Sequence, residues 1–262
     1  MPPTPDILAR IVARKHEELA EASTPAAELR KLAEADRGGK RDFAGSLRRP
    51  DAAIIAEIKK ASPSRGVLIQ DFHPAELAIQ YEAGGAAALS VLTDRDFFQG
   101  CLKHLGAARA ATELPVIRKD FTVSEYHVLE AAAHGADAIL LIVAVLEETR
   151  LRAFRELASE LGMAALVEVH DAAELEVALR SGAEIIGVNN RDLRTFQVLL
   201  ETSIELAPKM PADVTKVTES GIFGAPDVHR LQAAGYDAFL VGEHLVKSGD
   251  PAAALRELVA RN

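Results

Sequence analysis

The sequence predicts an α/β fold, a (β/α)8 TIM barrel with an N-terminal helical extension, and three observations lead there. Short runs rich in β-branched residues and leucine alternate with amphipathic stretches. The runs recur every roughly 20 to 35 residues, the length of a βα unit. There are eight of them, with no second compositional regime to suggest another domain.

Taken in order, the strand candidates are "AIIAEIKK" at 53–60, "AAALSVLT" at 86–93, "PVIRKD" at 115–120, "AILLIVA" at 138–144, "AALVEV" at 164–169, "IIGVNN" at 185–190, "VTKVTES" at 214–220 and "AFLVGE" at 238–243. Helix-like segments lie between them, including "EYHVLEAAAHG", "ETRLRAFRELASELG", "DAAELEVALRSG" and "APDVHRLQAAG". Several open on a polar cap and close on a glycine suited to a helix C-terminus. A doubly wound open sheet is the alternative arrangement of the same rhythm. Two further helical stretches, "PDILARIVARKHEEL" and "PAAELRKLAEA", precede the first strand. The expected organisation is an extension over 1–50 packed on a catalytic barrel over 51–262, since no low-complexity linker divides the chain.

Composition narrows the function classes. A chain of 262 residues with 48% hydrophobic content can bury a full core. Its formal net charge of −9 argues against nucleic-acid or anionic-membrane surfaces, which need clustered positive charge. The single cysteine, Cys101, excludes an internal disulfide and a multi-cysteine zinc site. The first residues lack the apolar core of a signal peptide, and "AILLIVAVL" is too short to span a bilayer. A cytoplasmic protein is expected, with a monomer as the expected state.

In a parallel barrel every strand opens its C-terminal end onto one face, where active sites sit. Reading only strand ends gives Glu57, Lys59, Lys119, Glu168, Asn189 and Glu219, followed closely by Ser62, Ser220 and Gly242. Glu57 and Lys59 share a face because strand side chains alternate with period two. A single strand-end lysine or glutamate is commonly a solvated group or half of a local ion pair; six at equivalent places argue for one shared site. Lysine and carboxylate in a water-poor cleft shift each other's proton affinity and serve as acid and base. A lysine there is also the residue type that forms Schiff bases. The turns "SPSRG", "ESGIFG" and "VGEH" follow the first, seventh and eighth strands, and their backbone N–H groups suit a phosphate. The loops of the last two strands are the usual phosphate place in such barrels.

Other constellations point elsewhere only weakly. "EAAAH" spaces Glu130 and His134 four apart but lacks the second histidine of a zinc-protease helix, so a solvated helix face is expected. Alternation turns His170 with Glu168, whereas Asp171 reads as a helix cap rather than a third metal ligand.

The blocks "IIAEIKKASPSRG", "GAAALSVLTD", "PVIRKDF", "GADAILLI", "LVEVHD", "IIGVNNRDL", "VTESGI" and "FLVGE" come in an order that resembles the indole-3-glycerol-phosphate synthase family of tryptophan biosynthesis. The resemblance implies closure of an indole ring on a phosphorylated substrate, with loss of carbon dioxide and water and without a metal or organic cofactor. It implies Lys119 as the general acid at the substrate's ketone oxygen. Glu168 and Lys59 become the acid–base pair for dehydration, in either order, and Glu57, Asn189 and Glu219 become positioning groups. Ser62, Ser220, Gly221, Gly242 and Glu243 are implied for phosphate. Phe97 or Phe98, Phe121, Leu140, Ile142 and Leu193 are implied for an apolar wall around the aromatic ring, with ordinary barrel core as the equal alternative for each. The partners implied are the small phosphorylated substrate and other enzymes of the tryptophan pathway. The chain departs from the family pattern at Cys101, where serine is expected, and at His244, where a small residue is more usual and where a position against the helix layer or solvent is expected.

Overall fold

The computed structural model describes residues 7–192 and 194–260. Eight strands, β1 (Ala53–Ile58), β2 (Ala88–Leu92), β3 (Val116–Lys119), β4 (Ala138–Ile142), β5 (Ala164–Val169), β6 (Ile185–Asn189), β7 (Thr215–Glu219) and β8 (Ala238–Val241), pair in parallel with their sequence neighbours. The first also pairs with the last, Ala53 opposite Ala238 through Ala56 opposite Val241, so the sheet is a closed barrel and not an open doubly wound sheet.

The strands read as near-continuous apolar runs because both faces are buried, one in the barrel and one under the helices. Period two divides them. Ala53, Ile55, Ala88, Ile117, Ala138, Leu140, Ile142, Leu166, Ile185, Val217, Ala238 and Leu240 form an inner cluster. Ile54, Ala56, Leu89, Val91, Ile139, Leu141, Val167, Ile186, Val188 and Phe239 join a larger outer cluster with the helices. The four helices anticipated from capping signals occur as Glu125–Ala133, Glu148–Glu160, Ala172–Arg180 and Ala225–Ala233.

Three N-terminal helices run from one end of the barrel to the other: α1 (Ile7–Glu21), α2 (Ala26–Ala35) and α3 (Phe43–Ser46). Ile7, Leu8 and Ile11 of α1 reach the C-terminal mouth. Leu29 and Ala33 of α2 bury themselves in the outer cluster. Asp42 caps α3 by accepting the Gly45 N–H at 2.7 Å, and Phe43 with Leu47 then enters the inner cluster as a stopper for the barrel floor.

The helix face carrying Glu130 is not simply solvated. Glu130 lies 2.8 Å from the guanidinium of buried Arg118, while His134 Nδ1 is 2.9 Å from the Glu130 carbonyl. Arg118 is the outward neighbour of Lys119 on β3, so its charge needs a partner on the helix layer. Among the described residues, no helix is long and apolar enough to cross a membrane.

Candidate active site

Five inward columns of the barrel change from apolar to polar at their C-terminal ends. Ile55 is followed two residues on by Glu57, Ile117 by Lys119, Leu166 by Glu168, Gly187 by Asn189 and Val217 by Glu219. Lys119, only 9% exposed, places Nζ 2.9 Å from Glu168 Oε2 and 2.6 Å from Glu219 Oε2. Asn189 donates from Nδ2 to Glu168 Oε1 at 3.3 Å. Lys59, just past the end of β1, pairs with Glu57 Oε1. The six strand-end groups therefore meet in one place.

Two glycines make room for this crowding. A Cβ at Gly242 would strike the Glu57 carboxylate, and one at Gly187 would come 2.9 Å from Glu219 Oε1. Neither has a left-handed backbone, so close approach rather than turn geometry asks for glycine at both.

Electrostatics separate the two carboxylates that share Lys119. Burial by itself lowers the Lys119 pKa, but Glu168, then Glu219 and Glu57, outweigh it and hold the ammonium charged well above the ordinary lysine range. Burial opposes ionisation of Glu168 too, yet Lys119 and then His170 keep its carboxyl well below the usual range. Glu219 moves the other way. Burial first and the Glu168 charge second push it up to about 7, and its Oε1 has no hydrogen-bond partner among the described residues. Glu219 thus holds a proton more tightly folded than unfolded, and the penalty for ionising it is absent below its ordinary 4.5 and complete once pH passes about 7. Relative to wild type, Glu219→Gln is expected to gain thermal stability as pH rises from 4.5 through 7, and paired melting curves across that range check the sign.

The mouth encloses a cavity of about 170 Å³. Glu57, Lys59, Lys119, Glu168, Asn189 and Glu219 form its polar floor. Ser62, Ser220, Gly221, Gly242 and Glu243 line it where the turns after β1, β7 and β8 converge. Ser220 and Gly221 both adopt positive φ, 68° and 82°. A non-glycine residue held there costs of order 1–3 kcal/mol and is characteristic of functional turns. Glu243 turns its carboxylate to Lys247 at 2.6 Å and Arg65 at 3.5 Å, so its side-chain charge is engaged outside the cavity floor.

On the apolar side Phe98, Phe121, Leu140 and Ile142 line the cavity, with the Phe98 and Phe121 rings 6.2 Å apart and tilted by 35°. Phe97 does not line it; its N–H is donated to Asp94 Oδ1 at 2.8 Å. Leu193 lies outside the described residues. His244 is partly buried and away from the cavity. Cys101, also partly buried, precedes the helix Leu102–Ala111.

Several lining groups carried no local signal in the sequence. Ile7, Leu8 and Ile11 arrive from α1, and Phe196, Ile222 and Phe223 come from the loops after β6 and β7. Arg191 lines the cavity beside Asn189, and its guanidinium forms no ion pair among the described residues. A free cation beside a buried acid–base floor is a ready partner for an anionic group. Its position in "VNNRDL" was the available clue.

Lys15 of α1 is equally cryptic. Only 3% exposed, it sets Nζ 2.8 Å from Asp94, 2.9 Å from Asp120 and 3.0 Å from Glu18. Asp120 directly follows Lys119, so this contact ties the covering helix to the strand that carries the central lysine.

Comparisons with known proteins bear on the fold and on the family. Barrels of quite different sequence superimpose on the chain. Thiamine phosphate pyrophosphorylase from Pyrococcus furiosus does so with a TM-score of 0.58 at 18% identity, over 79% of this chain and 93% of that one. N-acetylmannosamine-6-phosphate 2-epimerase from Clostridium perfringens gives 0.59 at 14% identity, over 76% and 89%. These share the fold alone. Much closer are indole-3-glycerol phosphate synthases from Laribacter hongkongensis, 54% identical over 97% of this chain and 99% of the relative, and from Chromobacterium violaceum, 53% identical over 97% of each. That of Aromatoleum aromaticum is 52% identical over 97% of this chain and 98% of its own length. The family model for indole-3-glycerol phosphate synthase matches residues 8–258, from the start of the covering helix to the last helix of the barrel, and the chain belongs to that family.

Proposed function

We propose that the barrel mouth converts 1-(2-carboxyphenylamino)-1-deoxyribulose 5-phosphate into indole-3-glycerol phosphate, carbon dioxide and water, which makes the chain a carboxy-lyase. The observation that carries the reading is Lys119, a buried ammonium between two carboxylates at the foot of a cavity walled by aromatic and aliphatic side chains. Ring closure turns a ketone oxygen into an alkoxide as the aryl carbon attacks. A fixed cation aimed at that oxygen lowers the barrier, and Lys119 supplies both the charge and the proton. Loss of carbon dioxide returns its bonding electrons to the six-membered ring and restores its aromaticity, and dehydration then forms the aromatic five-membered ring. That step needs a base at carbon and an acid at the departing hydroxyl, for which Glu168 and Lys59 are the pair. Glu57, Asn189 and Glu219 orient the substrate's nitrogen and hydroxyls. The turns carrying Ser62, Ser220, Gly221, Gly242 and Glu243 hold the phosphate through backbone N–H groups. Phe98, Phe121, Leu140, Ile142 and the α1 residues flank the ring, and Arg191 is available to the substrate's carboxylate.

A Schiff-base mechanism fits less well. An attacking lysine must be neutral, whereas Lys119 is held charged by its carboxylate neighbours.

Mixing purified protein with the substrate in the presence of a chelator and following indole fluorescence tests the reading. A rise supports metal-independent ring closure; folded protein that binds the substrate without a rise overturns it. In the same assay Glu168→Gln is expected to lower kcat by roughly 10²- to 10⁴-fold, the usual worth of a positioned acid or base, with KM changed little. A raised KM at normal kcat would make Glu168 a binding group instead.

A further inference from the structure

Lys119 touches both Glu168 and Glu219, so it cannot by itself decide which of them stays ionised and free to accept a proton. The tie is broken at their second oxygens. Glu219 Oε1 has no hydrogen-bond partner among the described residues. Glu168 Oε1 receives Asn189 Nδ2 at 3.3 Å and lies within ion-pair distance of His170 Nε2, 3.4 Å, with no hydrogen bond formed between those two atoms. The His170 ring is in turn held from behind: Nδ1 lies 3.0 Å from Glu174 Oε2, and the His170 backbone N–H donates to the same oxygen at 2.7 Å. Glu174 sits in the first turn of the helix Ala172–Arg180, whose cap Asp171 accepts the Glu174 N–H at 2.9 Å. A helix start thus anchors a carboxylate, the carboxylate anchors a ring, and the ring points at the floor of the mouth.

We infer that His170, oriented by Glu174, is a positioning residue that keeps Glu168 ionised and aimed, and so makes Glu168 rather than Glu219 the proton acceptor of the pair. This deepens the ring-closure reading and rests on it. Neither His170 nor Glu174 lines the cavity, so both act through Glu168 and not on the substrate. The charged groups around the ring favour imidazolium. Glu168 on β5 and Glu174 on the helix touch it, and Asp192 in the loop after β6 feels its charge. Lys119, beyond Glu168, is the opposing cation. Burial lowers the His170 pKa, but the adjacent carboxylates Glu168 and Glu174 outweigh this and carry it up to about 10. Glu168 therefore has a cation at each oxygen, and Glu219 has one at a single oxygen.

The test titrates the Glu168 carboxyl carbon by carbon-13 NMR in wild type, His170→Asn and Glu174→Gln, alongside the pH profile of kcat. Removing the cation should raise the Glu168 midpoint by about one pH unit or more and move the acid limb of kcat upward with it. On the acid limb, below both midpoints, kcat should fall about tenfold with KM within about twofold, while at neutral pH it should change little. Glu174→Gln keeps an acceptor for the backbone N–H but not the charge, so it should show the same direction with a smaller change, and it carries the test should His170→Asn fail to fold. A merely structural role would lower the melting temperature and leave both midpoints in place, and that result overturns the inference. If wild type shows no turnover, the ring-closure reading falls, while the carboxyl midpoint still decides whether His170 sets the charge of Glu168.

Discussion

Lys119→Ala is expected to lower turnover by about 10³-fold or more, because one side chain supplies both the proton and the charge for the developing alkoxide, each typically worth 10²-fold or more. The readout is indole fluorescence at saturating substrate on protein whose fold has been checked by circular dichroism. Turnover within tenfold of wild type would remove Lys119 from its assigned role. The same substitution also tests the electrostatics of the mouth. Without the ammonium, Glu168 and Glu219 face each other in a buried site with no shared cation. The Glu168 pKa should lose its downward shift and that of Glu219 should rise further above its unfolded value, and a carboxyl shifted upward loses stability as pH climbs through its folded value. The variant should therefore lie closest to wild type in acid and fall behind toward neutral pH. A difference in melting temperature that stays constant with pH would argue that the two carboxylates do not feel Lys119.

Lys15→Ala is expected to cost stability on the order of 3–5 kcal/mol, the usual result of removing one member of a buried ionic cluster. Asp94 and Asp120 are both buried, and Lys15 is the one side-chain cation that Asp94 pairs with among the described residues. Asp120 keeps Arg118 at 3.3 Å and the Thr93 hydroxyl at 2.6 Å, so most of the loss should come through Asp94 and the detachment of α1. For a chain of this size each kcal/mol corresponds to about 2–4 °C, so the melting temperature should drop by roughly 6–20 °C. Turnover should fall as well, because the helix that covers the mouth is loosened from the residue next to Lys119. A melting temperature within about 2 °C of wild type would show that the cluster contributes little.

The barrel was legible in the sequence because each strand buries both faces and so prints an unbroken apolar run between glycine-terminated helices. The strand-end groups were legible for the converse reason: Glu57, Lys119, Glu168 and Glu219 are charges at positions where the run should have remained apolar. Lys15, Ile7 and Ile11 gave no such contrast. A lysine in a charged amphipathic helix reads as solvated, and nothing local tells which surface that helix meets; its partner Asp120 is far along the chain, at the end of another element. Arg191 gives no contrast either, because an arginine in a loop is the ordinary expectation. Phe97 and Phe98 were indistinguishable as neighbours, and only the turn held by Asp94 selects Phe98 for the cavity.

The path of the first helices, from mouth to floor, bears on how the protein assembles during synthesis. The stopper residues Phe43 and Leu47 need the whole ring of strands around them, and the latch at Lys15 needs Asp94 and Asp120. The helices made before the strands are therefore stabilised after them. Until β8 has been made and has closed onto β1, the leading segment has amphipathic helices with no complete surface to pack on, and these long-range closures are slow to find. Catalytic competence should consequently appear abruptly once β8 has been made, when one late pairing completes the barrel and its floor beneath the covering helix.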